Sequence, residues 1–209
     1  MLNIKYVTEV LEKSKFGIFS NKGFIGQNGD LEVDRIISNK KGGQVLSLRV
    51  RNTSDRPLKI YSFDVADFVI PKKVNIRSIL EHGWLQCSEV AIRPFFSKTE
   101  KNKIFLQRDQ NPFSFDEKYG YIKDSLISEW FTHFEINRET FFIGAVTTAD
   151  QFAQIFLKET ENGFRVRVTS QFDGLIVEPG QVAKSEQIFF GIGSGGEVKK
   201  YSQKFWQIT

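Results

Sequence analysis

Residues 141–193 read FFIGAVTTADQFAQIFLKETENGFRVRVTSQFDGLIVEPGQVAKSEQIFFGIG, a succession of short apolar runs separated by turn dipeptides. Asn162-Gly163 lies between QIFLK and FRVRV, and Asn-Gly accepts the positive φ values of the primed turns that close tight hairpins. Glu178-Pro179-Gly180-Gln181 has type II turn chemistry, because proline fixes φ at the first central position and glycine supplies positive φ at the second. Two hairpins in series make an antiparallel meander. Asp173-Gly174 could turn the chain between them, and one residue of slack there would exchange the faces of the side chains that follow.

The rest of the chain extends this pattern towards its start. KFGIFS (15–20), LEVDRIIS (31–38) and QVLSLRVR (44–51) read as strands, the last ended by Asn52-Thr53-Ser54-Asp55-Arg56-Pro57, where Asx and proline chemistry favours a turn. LKIYSFDVADFVI (58–70) alternates and stops at Pro71. On a strand Ile60, Ser62 and Asp64 share one face and Tyr61, Phe63 and Val65 the other, so the aromatic face is expected to point inwards. Residues 96–121 are polar and irregular and read as a long surface loop. Roughly a dozen short strands with turns at intervals of about 8 to 12 residues describe an all-β fold, a large antiparallel β-sandwich.

Composition agrees with one such unit. A chain of 209 residues can bury a sizeable core as a single sandwich, and 21 phenylalanines supply aromatic area to fill the space between two sheets. The 29 basic and 25 acidic residues are dispersed, so no stripe is formed that would track a phosphate backbone, and nucleic acid is not expected as a partner. The first residues, MLNIKYVTEVLEKSK, alternate charged with apolar positions and do not read as a signal peptide. No apolar run approaches the roughly 20 residues of a membrane helix, so no membrane partner is expected either. A single cysteine, Cys87, excludes an internal disulfide and accords with a cytoplasmic location.

The same residues carry a resemblance. GLIVEPGQVAKSEQIFFGIG (174–193) followed by SGGEVKKYSQKFWQ (194–207), with Ser128-Glu129-Trp130-Phe131 and GAVTTADQFAQIFL (144–157) upstream, resembles the N-terminal β-sandwich domain of family 36 glycoside hydrolases, the α-galactosidase and raffinose-synthase type. The resemblance implies a galactose-mutarotase-like super-sandwich over residues 1–193. It also implies that 194–209 begin the helix leading to a catalytic (β/α) barrel of the same polypeptide. Ser194 can cap that helix, and Val198, Tyr201 and Phe205 at i, i+3 and i+7 would form its apolar stripe. A chain stopping at Thr209 then reads as a truncated fragment, and the exposed stripe as a route to a homo-oligomer.

Retaining glycosidases need two carboxyl groups about 5 to 5.5 Å apart. In the family these are aspartates on the barrel, one in a K-(apolar)-D run; Tyr121-Ile122-Lys123-Asp124 lacks the spacer, and Asp124 reads as a solvated loop residue. Asp64 and Asp67 are three apart, which on a regular strand puts them on opposite faces. This chain is therefore expected to lack the catalytic carboxylates. Related mutarotases use histidine with a carboxylate, and the chain has two histidines, His82 and His133, with Glu129 four residues before the second. A lone histidine in such a setting is far more often structural. The two histidines and Cys87 lack metal-ligand spacing, and neither a metal nor a cofactor is expected.

The loop Glu81-His82-Gly83-Trp84-Leu85-Gln86-Cys87-Ser88 is the best binding candidate. Similar domains carry N-x-W-Q-S-W there, on a loop reaching over the barrel mouth where tryptophan stacks on galactose. Trp84 matches the first tryptophan, with Gln86 and His82 as polar neighbours, while Cys87 stands where the second would be and offers no ring. A Trp84 that fills a gap between loop and sheet fits the sequence equally well. The resemblance thus implies a non-catalytic domain that supports the barrel and brings a loop to a galactoside pocket. A stand-alone carbohydrate-binding or mutarotase-like sandwich is the alternative, and a plain assembly module a third.

Overall fold

The computed structural model describes residues 4–20, 23–25, 30–81, 91–94, 125–136, 138–147 and 151–194. In chain order these form helix α1 (Ile4–Lys13), then β1 (Lys15–Ser20), β2 (Gly23–Ile25), β3 (Leu31–Lys40), β4 (Gly43–Asn52) and β5 (Leu58–Pro71). There follow β6 (Ile76–Glu81), β7 (Ala91–Pro94), β8 (Leu126–Glu129), β9 (Phe131–Ile136) and β10 (Glu139–Ala145). The last are β11 (Phe152–Thr160), β12 (Gly163–Val177), β13 (Val182–Lys184) and β14 (Ile188–Gly193). One sheet has the order β2-β1-β5-β12-β11-β8; the other runs β13-β4-β14-β10-β9-β6-β7, with β3 on the far side of β4. Every pairing is antiparallel. The expected all-β sandwich is the fold observed.

The two sheets enclose two apolar clusters. The larger gathers Val65, Phe68 and Ile70 of β5, Phe164, Val166 and Val168 of β12, and Phe134, Phe141, Ile143, Ile188 and Phe190 from the facing sheet. The smaller joins Leu58, Ile60 and Phe63 of β5 to Leu48 and Val50 of β4. Each fully buried phenylalanine contributes on the order of 2 kcal/mol by leaving water. β5 serves both clusters because its alternation is interrupted. Phe19 pairs with Ser62 but Ser20 with Ile60, so Tyr61 bulges out and the inward parity changes there. Phe63 and Val65 face inwards as expected, and so does Ile60, which the unbroken alternation had placed on the opposite face.

Three further expectations are corrected. The chain does not begin as sheet: Val7, Val10 and Leu11, spaced i, i+3 and i+4, form the apolar face of α1, and Val7 and Leu11 are fully buried in the larger cluster. The last carbonyls of α1 have a partner from outside the helix, since Arg35 of β3 donates to Leu11 O at 2.5 Å. In the β11–β12 hairpin the closing pair is Thr160 and Gly163, so the turn residues are Glu161 and Asn162 and not Asn162-Gly163. Gly163 has φ +145°, and a Cβ there would lie 2.1 Å from Ile70 O, so the position admits only glycine. Finally, Asp173-Gly174 does not turn the chain. β12 continues through it as a bulge that places three residues, 172–174, opposite Tyr61 alone.

The Glu178–Gln181 turn is present as read: Gly180 has φ +78° and Gln181 N donates to Glu178 O at 3.0 Å. It closes no hairpin, however. β12 belongs to the six-stranded sheet and β13 to the other, so this turn carries the chain from sheet to sheet. The 53–57 segment, between β4 and β5, makes the reverse crossing beside it. Asn52 ties the two corners together and is completely buried. Its side-chain amide donates to Arg56 O and Val177 O, both at 2.8 Å, while Oδ1 accepts from Ser54 N at 3.0 Å, the Asx geometry that ends β4. Its backbone O accepts from Gly180 N at 2.8 Å and its N donates to Gln181 O at 3.1 Å.

Removing this amide takes the side-chain donor from the buried Val177 O and the acceptor from Ser54 N, while Arg56 O keeps Ser54 Oγ at 3.0 Å. Asn52→Ala should therefore lower the unfolding free energy by about 2 to 4 kcal/mol. The check is urea denaturation, in which the midpoint falls at an unchanged slope.

Candidate functional site

The loop proposed from sequence to meet a sugar, with His82, Trp84 and Gln86, lies outside the described residues, as do Cys87, Asp124 and the stripe of Val198, Tyr201 and Phe205. What the structure gives is the frame of that loop: β6 and β7 pair from Ser78 with Pro94 to Glu81 with Ala91, so residues 82–90 connect the ends of a hairpin.

His133 is described, and it has no catalytic partner in Glu129. Glu129 ends β8 in the six-stranded sheet, whereas His133 lies on β9 in the other. The intervening Trp130 has φ +70°, a left-handed conformation that a bulky side chain rarely adopts. Its backbone is bonded on both sides, N to Ala153 O at 3.0 Å and O from Ala145 N at 2.8 Å. Trp130 is thus a corner residue, partly buried, and it separates the two groups that a single strand would have kept on one face. Burial holds His133 below the ordinary histidine value, against the upward pull of Glu135.

The buried chemistry of this chain stands elsewhere, on the face of the six-stranded sheet turned away from the apolar core. In β12 the sequence RVRVT alternates, so Val166 and Val168 enter the core while Arg165, Arg167 and Thr169 turn outwards. Asp64 and Asp67 of β5 turn outwards with them. Val168 pairs with Ala66 but Thr169 with Asp64, so one residue bulges between them, and the opposite faces expected from their spacing become one. Arg167 grips Asp64 with Nε at 2.9 Å and Nη2 at 2.7 Å. Arg165 grips Asp67 in the same forked way, its Nε at 2.8 Å from the carboxylate. The guanidinium of Arg167 also lies 4.6 Å from the ring centre of Phe19.

The two pairs differ in burial. Arg167 and Asp64 side chains are each 5% exposed, those of Arg165 and Asp67 39% and 14%. The outer pair is screened by water and adds little. In the inner pair desolvation dominates and pushes the Asp64 carboxyl up to about 6, although Arg167 pulls it down. Both carboxylates are occupied by arginine forks, so they form an ion-pair ladder and do not present an acid and a nucleophile to a substrate. Arg165 and Arg167 were legible only as alternation; nothing in the spacing of Asp64 and Asp67 revealed the bulge.

The outward face of the other sheet is aromatic. Phe142, 1% exposed, stacks with Phe131 at 6.0 Å between centroids and approaches Phe189 at 6.3 Å. The rings lie against glycines: a Cβ on Gly144 would meet the Phe142 ring at 2.7 Å, and one on Gly191 the Phe189 ring at 2.4 Å. Among the described residues no group of three or more His, Cys, Asp or Glu could hold a metal ion. No described helix is long and apolar enough to cross a membrane.

At pH 7 Arg167→Met strands the Asp64 carboxylate and should cost about 3 to 5 kcal/mol, while Asp64→Leu combined with Arg167→Met should recover most of that loss. The folded value of Asp64, about 6, lies above the roughly 3.9 of an unfolded aspartate, so the folded chain holds this proton more tightly. Its contribution is therefore fully present below about pH 4 and is lost as pH rises towards 6, at most about 3 kcal/mol. Urea unfolding across that range should show the decline in the native chain and its absence in the double variant.

No protein-family model and no curated protein sequence matches this chain. Solved structures do. The galactosidase domain of the alpha-galactosidase-sucrose kinase AgaSK superposes with a TM-score of 0.54 at 7% identity, covering 82% of this chain and 23% of that one. The alpha-galactosidase from Lactobacillus brevis gives a TM-score of 0.52 at 11% identity, covering 82% and 22%. A GH36 alpha-galactosidase, AgaA from Geobacillus stearothermophilus, aligns over 87% of this chain and 27% of its own at 12% identity, with a TM-score of 0.45 that is too low to add weight. At these identities the likeness is one of fold. The chain has the β-sandwich fold that forms part of two α-galactosidases, and it spans less than a quarter of the length of either.

Proposed function

We propose that this chain serves as the non-catalytic β-sandwich domain of an α-galactosidase-like glycoside hydrolase. It buttresses the catalytic barrel of the same polypeptide and brings the loop of His82, Trp84 and Gln86 to the galactoside pocket. In this reading residues 1–193 are the sandwich and 194–209 the start of the connection to the barrel. The observation that carries it is the fold match: most of this chain superposes on about a quarter of two α-galactosidases. The ion-pair ladder supports the non-catalytic part, because the two neighbouring carboxylates at the sheet face are neutralised by Arg167 and Arg165. A cytoplasmic location and a role in carbohydrate metabolism accord with the single cysteine and with that kinship of fold.

The coding sequence beyond Thr209 decides the matter directly. It should continue into a barrel with a G-W-C-S-W run and two aspartate motifs; a stop codon after Thr209 counts against the proposal. The purified chain should not release nitrophenol from an aryl α-galactoside between about pH 4 and 8, the range in which a raised carboxylic acid and its partner operate. Turnover that disappears in Asp124→Asn would mean that the chain is itself the enzyme.

Sugar binding separates a buttress from a self-sufficient binding module. One stacked ring contributes only about 1 to 2 kcal/mol, too little for a millimolar complex without the barrel's polar groups. Galactose should leave the tryptophan fluorescence of the isolated chain unchanged to millimolar concentration. Saturable quenching that Trp84→Ala abolishes would favour the stand-alone carbohydrate-binding protein.

A further inference from the structure

The β11–β12 hairpin turns at Glu161 and Asn162, both exposed, and closes on the pair of Thr160 and Gly163. The peptide nitrogen after an asparagine can attack the side-chain carbonyl, because the two groups are held close enough to close a five-membered ring. A side chain on that following residue obstructs the attack, and glycine has none. Here the fold itself demands the glycine. Gly163 has φ +145°, and a Cβ there would lie 2.1 Å from Ile70 O and 3.0 Å from Lys72 N. The other described asparagines are better protected. Asn39 accepts from Gln44 Nε2 at 2.9 Å and precedes Lys40. Asn52 is completely buried, with its amide bonded to Arg56 O and Val177 O. Asn75 is exposed but precedes the β-branched Ile76.

We propose that Asn162 is a site of spontaneous covalent modification, at which the peptide nitrogen of Gly163 displaces ammonia from the side-chain amide. Gly163 N gives its proton to hydroxide and bonds to Asn162 Cγ; the Cγ–Nδ2 bond breaks and ammonia leaves. The cyclic imide then takes up one water. Opening at Cγ leaves aspartate, and opening at the main-chain carbonyl leaves isoaspartate, whose backbone is longer by one methylene carbon. Local fraying of the hairpin tip gives the nitrogen its access. The consequence reaches β5. Gly163 pairs with Thr160 on one side and with Pro71 on the other, at the end of the β5–β12 ladder. With Ile70 O so close, a lengthened main chain cannot keep both pairs. The product also sets a new carboxylate beside Glu161. The inference is independent of the enzyme reading above.

The test uses the full chain with Asn28→Gln, which removes the other Asn-Gly pair of the sequence. Held folded in mildly alkaline buffer, it should accumulate isoaspartate in the peptide that spans Asn162. Peptic digestion in acid followed by mass spectrometry with electron-transfer fragmentation locates the product. An isoaspartate methyltransferase with labelled S-adenosylmethionine counts it. The peptides carrying Asn39, Asn52 and Asn75 should stay unmodified. Adding Asn162→Gln, whose longer side chain disfavours ring closure, should abolish the signal and leave the thermal midpoint unchanged, because the site is exposed. The more acidic form that carries isoaspartate at 162, separated by ion exchange, should unfold at a lower temperature than the fresh chain. An asparagine that stays intact at 162 overturns the proposal. So does a methylation signal that survives Asn162→Gln, faster reaction at Asn39 or Asn75, or an isoaspartate form that melts with the fresh chain.

Discussion

The pairing of β5 with β12 is the constraint on which the sandwich is built. It joins Pro71 to Gly163 at one end and Leu58 to Val177 at the other, and it contributes to both apolar clusters. Two long strands of strict alternation could not do this while also placing Asp64 and Asp67 on one face. The irregularities at Tyr61, at Val65 and Ala66, and at 172–174 change the inward parity where the core requires it. Each bulge interrupts the register and twists the ladder locally. The gain is that Ile60, Phe63, Val65, Phe68 and Ile70 all enter the core from one strand.

The edges of that core are held by polar groups. At one end Asn52 satisfies both chain crossings between the sheets, so a single amide fixes the angle at which β4 leaves one sheet and β12 leaves the other. Near the other crossing, Trp130 turns the chain from β8 into β9 in a left-handed conformation that costs about 1 to 3 kcal/mol. Its two backbone hydrogen bonds oppose that cost. The bend at Ser185 to Gln187 adds a third tie, where Glu186 N donates to Ser170 Oγ of the opposite sheet at 3.1 Å. Helix α1 is held in the same manner, by apolar burial of Val7 and Leu11 and by Arg35 at its C-terminal carbonyls.

The outward faces of both sheets are themselves covered in places, where Arg167, Asp64 and Phe142 are almost inaccessible. One carries charge neutralised in place, the other aromatic rings laid over glycines, and both are buried to a degree unusual for the outside of a sheet.

Local chemistry in the sequence determined where strands run and where several of them stop. KFGIFS, LEVDRIIS and QVLSLRVR were legible because alternation is a property of neighbours in the chain, and Glu178–Gln181 because proline and glycine restrict φ by themselves. The likeness of fold to the β-sandwich part of two α-galactosidases was legible in the order of such elements. Alternation also hid α1, whose period is 3.6, behind a charged and apolar mixture. What only the tertiary structure decided were the choices that depend on distant partners. The sheet that β8, β9, β12 and β13 join, the bulge that unites Asp64 and Asp67, and their capture by Arg167 and Arg165 are set by strands about one hundred residues away in sequence. A bulge has no side-chain signature of its own, because its energy is recovered in the packing and ion pairing of the strand beside it.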